Sequence, residues 1–150
     1  MRAAAAIALC ATGCLQAIAP DVGPLQTATD GGTTTCSDAD SDPATTVSFG
    51  SDIRGGVFHR GGCTNCHTGD GMGIQQSGLD LSNYATLRTG GGRSGARIVV
   101  DFMPCQSILA QKIQTAPPFG RRMPYDGPPY LSTSDIQLVQ DWIAEGARDN

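Results

Sequence analysis

The chain has 150 residues and a formal net charge of −4, with 20 glycines, 9 prolines and only 5% aromatic residues. That length suits one domain plus an extra segment, and so thin a supply of large apolar side chains points to a core completed by disulfides or a bound cofactor. From residue 47 onward nine acidic and nine basic residues balance, and Lys112 is the one lysine, so no basic stripe tracks a phosphate backbone and nucleic-acid binding is excluded.

The opening MRAAAAIALCATGCLQAIAP joins one positive charge to a short apolar run, too short to span a bilayer as a mature helix. Two cleavage readings compete. Ala17-Ile18-Ala19 has the small-x-small form of an ordinary secretory site, but Pro20 follows the cut. Ala11-Thr12-Gly13-Cys14 has the form of a bacterial lipobox, with Ala where Leu is usual. The second reading is preferred. It makes 1–13 a signal peptide and Cys14 a lipid-anchored N-terminus on the cell envelope, facing the periplasm. Leu15 after Cys14 tilts the expected membrane towards the outer one. Multiple acyl chains would anchor such a protein stably.

Residues 14–46 carry five Asp and no Lys or Arg among Thr, Ser, Gly and Pro, a composition that predicts a flexible acidic tether. Asp38, Asp40 and Asp42 imitate half of a calcium loop. Pro43 and Phe49 stand where Gly and a carboxylate are needed, so linker is the reading.

A helix is expected in SFGSDIRGGVFHRGG, with Phe49, Ile53 and Phe58 inward and Gly55-Gly56 weakening it. The stretch GGCTNCHTGDGMG at 61–73 follows. A zinc site would want two further ligands at similar spacing, but Cys36 and Cys105 stand far apart. A thioredoxin-like pair would follow a buried strand, whereas these flanks are Gly-rich loop. An isolated disulfide between Cys63 and Cys66 would be strained. The reading that uses every residue is covalent haem attachment: Cys63 and Cys66 take the two vinyl groups and His67 becomes the proximal iron ligand.

The opposite face of that iron has four candidates, His59, Met72, Met103 and Met123. His59 and Met72 lie too near the attachment turn to reach it. Met123, 56 residues after His67 in PPFGRRMPYDGPPY, has the chain length to wrap around the porphyrin, and Pro124 restricts its backbone. Met103, in VVDFMPCQ, is the alternative. Arg121 and Arg122 lie within reach of a haem propionate or stand as solvated charges.

LSNYATLRTGG predicts a second helix with Ser82 as N-cap and Gly90 past its end; Tyr84 and Leu87 face inward. PCQSILAQKIQ predicts a third that starts at Pro104 and buries Ile108, Leu109 and Ile113. LSTSDIQLVQDWIAEGARDN predicts the last, capped by Ser132 and ended by Gly146, with Ile136, Val139, Trp142 and Ile143 in one stripe. RIVV is the one β-rich fragment.

Taken together, GGCTNCHTG, GLDLSNYATLRTGG and GRRMPYDGPPYLSTSDIQLVQDWIAEGA resemble the small monohaem cytochrome c domain, over roughly residues 47–148. The resemblance implies an all-α domain at 47–150, wrapped around one covalent haem c with long Gly/Pro-rich loops. It also implies Cys63 and Cys66 as thioether donors, His67 and Met123 as axial ligands, and the terminal helix packed across the one leading to Cys63. The implied function is electron transfer without catalysis, through brief docking to a redox partner protein of the envelope, with the lipid anchor the chain's one membrane contact. The alternative is a haem enzyme or ligand sensor, peroxidase-like, with an open sixth position. Gly55-Gly56 departs from the family pattern, and Cys36 and Cys105 have no family role; a Cys36–Cys105 disulfide is the simple expectation for an oxidising compartment.

Overall fold

A computed structural model describes residues 38–150. The expected Cys14 anchor and Cys36 lie outside the described residues. Within them the chain is helical, and no strand occurs. A π-helix at Phe49–Phe58 is followed by five α-helices: α1 (Cys63–Cys66), α2 (Met72–Ser77), α3 (Tyr84–Thr89), α4 (Ile108–Lys112) and α5 (Thr133–Ala144). Short 3₁₀ turns fill parts of the connections. The RIVV fragment makes a 3₁₀ turn that runs into extended chain, and burial of Ile98 and Val99 accounts for its β-rich composition.

The core is built where α5 crosses the π-helix. Ile53, Val57, Val139, Trp142 and Ile143 are fully buried, with Leu87 of α3 beside them. Phe49 packs 5.3 Å from the Tyr84 ring and 5.4 Å from that of Trp142. Two hydrogen bonds orient the polar edges of this cluster: Trp142 Nε1 donates to the Arg148 carbonyl at 3.0 Å and Tyr84 Oη to that of Ala147 at 2.7 Å. Aromatic rings with satisfied polar tips define one packing rather than several.

The expected stripe on α5 is present, with Ile136 at its half-buried end. Ser132 caps the helix by accepting from Asp135 N–H at 3.1 Å. Its far end closes as a Schellman turn. Gly146 N–H reaches Ile143 O at 3.0 Å, Ala147 N–H reaches Trp142 O at 2.9 Å, and Gly146 takes the φ of +99° that the turn requires.

Three expected helices differ in detail, each for a local reason. The first is a π-helix, with Ile53 N–H bonded to Ser48 O, five residues back. Gly55 and Gly56 belong to it: a Cβ on Gly55 would stand 3.1 Å from Gly50 O, and one on Gly56 3.1 Å from Arg60 Nη1. Arg60 folds back over Gly56 to reach Asp135 at 2.5 Å, tying this helix to the start of α5. The cap of α3 is Asn83, not Ser82. Asn83 Oδ1 accepts from Thr86 N–H at 3.0 Å and Thr86 returns the bond, while Ser82 is held by Asp80. The third expected helix is split into a 3₁₀ turn at Pro104–Gln106 and α4. The buried Ser107 between them turns to ψ 120° and places its hydroxyl against Val100 N–H at 2.8 Å and Met103 O at 3.0 Å. A side chain that can satisfy backbone groups competes with helix continuation.

The last residues assigned by composition to the tether are bonded to the domain. Asp42 N–H donates to Asp141 Oδ1 at 2.8 Å, and the Thr45 hydroxyl donates to Glu145 Oε1. Asp38 accepts from Cys105 N–H at 2.8 Å. Cys105 is disulfide-bonded, and since Cys63 and Cys66 are free thiols its partner lies outside the described residues.

Candidate haem-binding site

The turn at 61–67 forms because glycines admit it. Gly62 takes a φ of +66° and starts α1, a single helical turn that places Cys63 and Cys66 one turn apart. Gly61 lies so close to Leu131 and Val57 that a Cβ would clash, 2.5 Å from Leu131 Cδ2. Cys63 is half-buried and packs on the core, whereas Cys66 is exposed. Burial, opposed by a backbone hydrogen bond, pushes the Cys63 thiol up to about 11. A thiol held protonated at neutral pH is the opposite of the activated thiolate of a dithiol redox enzyme.

His67 closes the turn. Its Nδ1 lies 3.0 Å from the Leu79 carbonyl oxygen. A carbonyl only accepts, so Nδ1 is the donor and Nε2 is the nitrogen left for a metal. The backbone repeats the tie, with Leu81 N–H donating to His67 O at 2.7 Å. Gly73 of α2 lies against the ring: a Cβ there would stand 2.8 Å from His67 Cε1 and 2.9 Å from Nδ1. Leu79 and Gly73 therefore fix the imidazole, a second layer of support of the kind metal-ligating histidines use. Neither was singled out from sequence. The glycine spacing in GDGMG was the available signal for Gly73; a carbonyl partner carries no residue signature.

The other candidates separate by position. His59 is exposed at the end of the π-helix, Met72 opens α2 with 64% exposure, and Met103 is 44% exposed ahead of the Pro104 turn. Met123 is half-buried and packs against the core. It is tethered by its own N–H to Lys112 O at 2.8 Å. Arg121 and Arg122 stack over Tyr125 and Tyr130, at 4.6 and 4.3 Å from the ring centroids. Burial and the charge of Arg93 pull the Lys112 ammonium below its usual range.

Free thiols one helical turn apart, followed by an imidazole whose Nδ1 is engaged by a carbonyl and whose Nε2 is left for a metal, are the donor chemistry that covalent haem requires, and these residues fit it. The fit lies in the donors rather than in an open cavity. A cleft of about 350 Å³ is lined by Arg54, His59, Thr64 and Thr68, and one of about 320 Å³ by Phe49, Arg54 and Tyr84; neither is lined by His67 or Met123.

Residues 63–127 match the family model described as PSCyt1, Planctomycete cytochrome C. No curated protein and no solved structure matches the chain.

Proposed function

We propose that this chain, which carries a cytochrome c-like domain, is an electron-transfer protein with one haem c held through Cys63 and Cys66 and ligated by His67 and Met123. The single observation that carries the reading is the attachment turn itself, with both thiols free and His67 Nδ1 bonded to Leu79 O so that Nε2 is left for a metal. A bound haem would supply one-electron redox chemistry. The chain's own part would be to hold the imidazole rigidly, through Leu79 and Gly73, and to supply a thioether as the second ligand. Of the three described methionines, Met123 is the one packed on the core, which supports it as that thioether. A closed sixth position suits a carrier rather than a peroxidase-like enzyme or a sensor.

The reading places the protein on the bacterial envelope, anchored at Cys14, where it meets a redox partner protein. Support comes from the apolar opening segment and from the disulfide at Cys105, a bond that persists in oxidising compartments. No described helix is long and apolar enough to cross a membrane.

The visible spectrum of the oxidised protein tests the ligand set. A thioether-to-iron band that disappears in Met123→Ala is expected. A high-spin spectrum in the native protein, with rapid carbon monoxide binding after reduction, would show an open iron and refute the carrier.

A further inference from the structure

Between Ile113 and Met123 the chain forms neither helix nor strand, so no ladder of backbone hydrogen bonds sets its path. One residue of α4 does so instead. The Lys112 carbonyl accepts from Met123 N–H at 2.8 Å. Its Nζ donates to the Phe119 carbonyl at 2.7 Å and also to the Arg121 carbonyl. The ammonium stands 5.0 Å from the centroid of the Phe119 ring, and Gly120, at a φ of +58°, turns the chain around it. The ion pairs of the described residues are Arg60–Asp135 and Arg88–Asp101, so Lys112 meets carbonyls where a lysine more often meets a carboxylate. Arg122 adds one tie of the same kind, Nε to Ile113 O at 2.9 Å.

Hydrogen bonds from a charged donor are the stronger sort, and here both Nζ bonds fall within the four residues that precede Met123. We propose that Lys112 is a positioning residue for Met123: it clasps the loop from both its main chain and its side chain, and so sets where the thioether stands. The proposal rests on Met123 being the iron ligand. Lys112→Met keeps most of the aliphatic stem and deletes both Nζ bonds, whereas Lys112→Arg keeps a cation of similar reach.

The test uses the full-length, haem-loaded protein and three readouts: the thioether-to-iron band, the midpoint potential, and the rate of carbon monoxide binding to the reduced form. Far-UV circular dichroism confirms the fold. Lys112→Met should keep its helix content yet weaken the band, lower the potential and bind carbon monoxide at least about tenfold faster, the factor that one hydrogen bond's worth of ordering supplies and a floor for the two that are lost. Lys112→Arg should restore most of each. A Lys112→Met protein with native band, potential and rate overturns the proposal, as does Lys112→Arg if it loses as much as Lys112→Met. If Lys112→Met does not accumulate, Lys112→Gln, with one donor group, is read on the same three measures and should fall between native protein and Met123→Ala; native values overturn the proposal. Met123→Ala separates the two claims. If it keeps the band, the ligand assignment fails; if it loses the band while Lys112→Met does not, the clasp alone fails.

Discussion

The two sides of this domain are held by different means. Where α5 crosses the π-helix, order comes from apolar burial: Trp142, Ile53, Val57 and Ile143 are fully enclosed and the rings of Phe49 and Tyr84 lock against the indole. From Gln114 to Tyr130 little is fully buried, and order comes from side chains gripping carbonyls and from arginines lying on tyrosine rings. The first arrangement is collective and tolerant of small changes. The second depends on a few discrete bonds, and it is the side that carries Met123. The difference separates what keeps the protein folded from what would hold the proposed thioether ligand.

The comparison predicts unequal losses. Trp142→Ala should be the most damaging change to stability, about 3–5 kcal/mol in urea unfolding, because it empties the centre of the buried cluster. A loss below about 1 kcal/mol would mean that the crossing is not the main source of order. Ser107→Ala comes next. It strips Val100 N–H of its buried partner and should cost about 1–3 kcal/mol by the same measurement, with an unchanged visible spectrum. Gly73→Ala should cost about 1–3 kcal/mol by crowding and, unlike Ser107→Ala, should also disturb the spectrum, since the added methyl meets the His67 ring. Equal spectra for these two variants would mean that Gly73 does not shape the surroundings of His67.

The smallest effect concerns pH. Although partial burial opposes it, hydrogen bonds from Arg60 and Ser132 hold the Asp135 carboxyl below its ordinary range. A carboxylate with a lowered folded pKa contributes stability above its unfolded value, about 3.9, and loses it as pH falls through the folded value. Arg60 is half exposed, so the contribution should be at most about 1 kcal/mol. Asp135→Asn should therefore unfold slightly earlier than native protein at neutral pH. The two should converge in strong acid; a gap that persists there would contradict the ion pair as its cause.

Sequence periodicity made the scaffold legible. The α5 stripe, the inward residues of the first helix and the burial of Ile108, Leu109 and Ile113 follow from spacing alone, because burial repeats with the helix. What spacing could not convey were the local competitions. Asn83 and Ser82 are both good caps, and only the position of Asp80 decides between them. Ser107 reads as an ordinary helix residue until its hydroxyl finds Val100 and Met103. At the candidate site, the Cys63–His67 string is legible as a row of side chains. The contacts around it are not, because Leu79 acts through a carbonyl and Lys112, the proposed clasp, bonds to carbonyls up to nine residues away.

Intact-mass measurement of the purified, denatured protein tests most directly the proposal of a haem bonded to the polypeptide at Cys63 and Cys66. The native chain should carry the added mass of one haem after acidic acetone extraction, and the Cys63→Ala/Cys66→Ala chain should carry none. A native chain at its bare polypeptide mass, or pigment that the acetone removes, would contradict it.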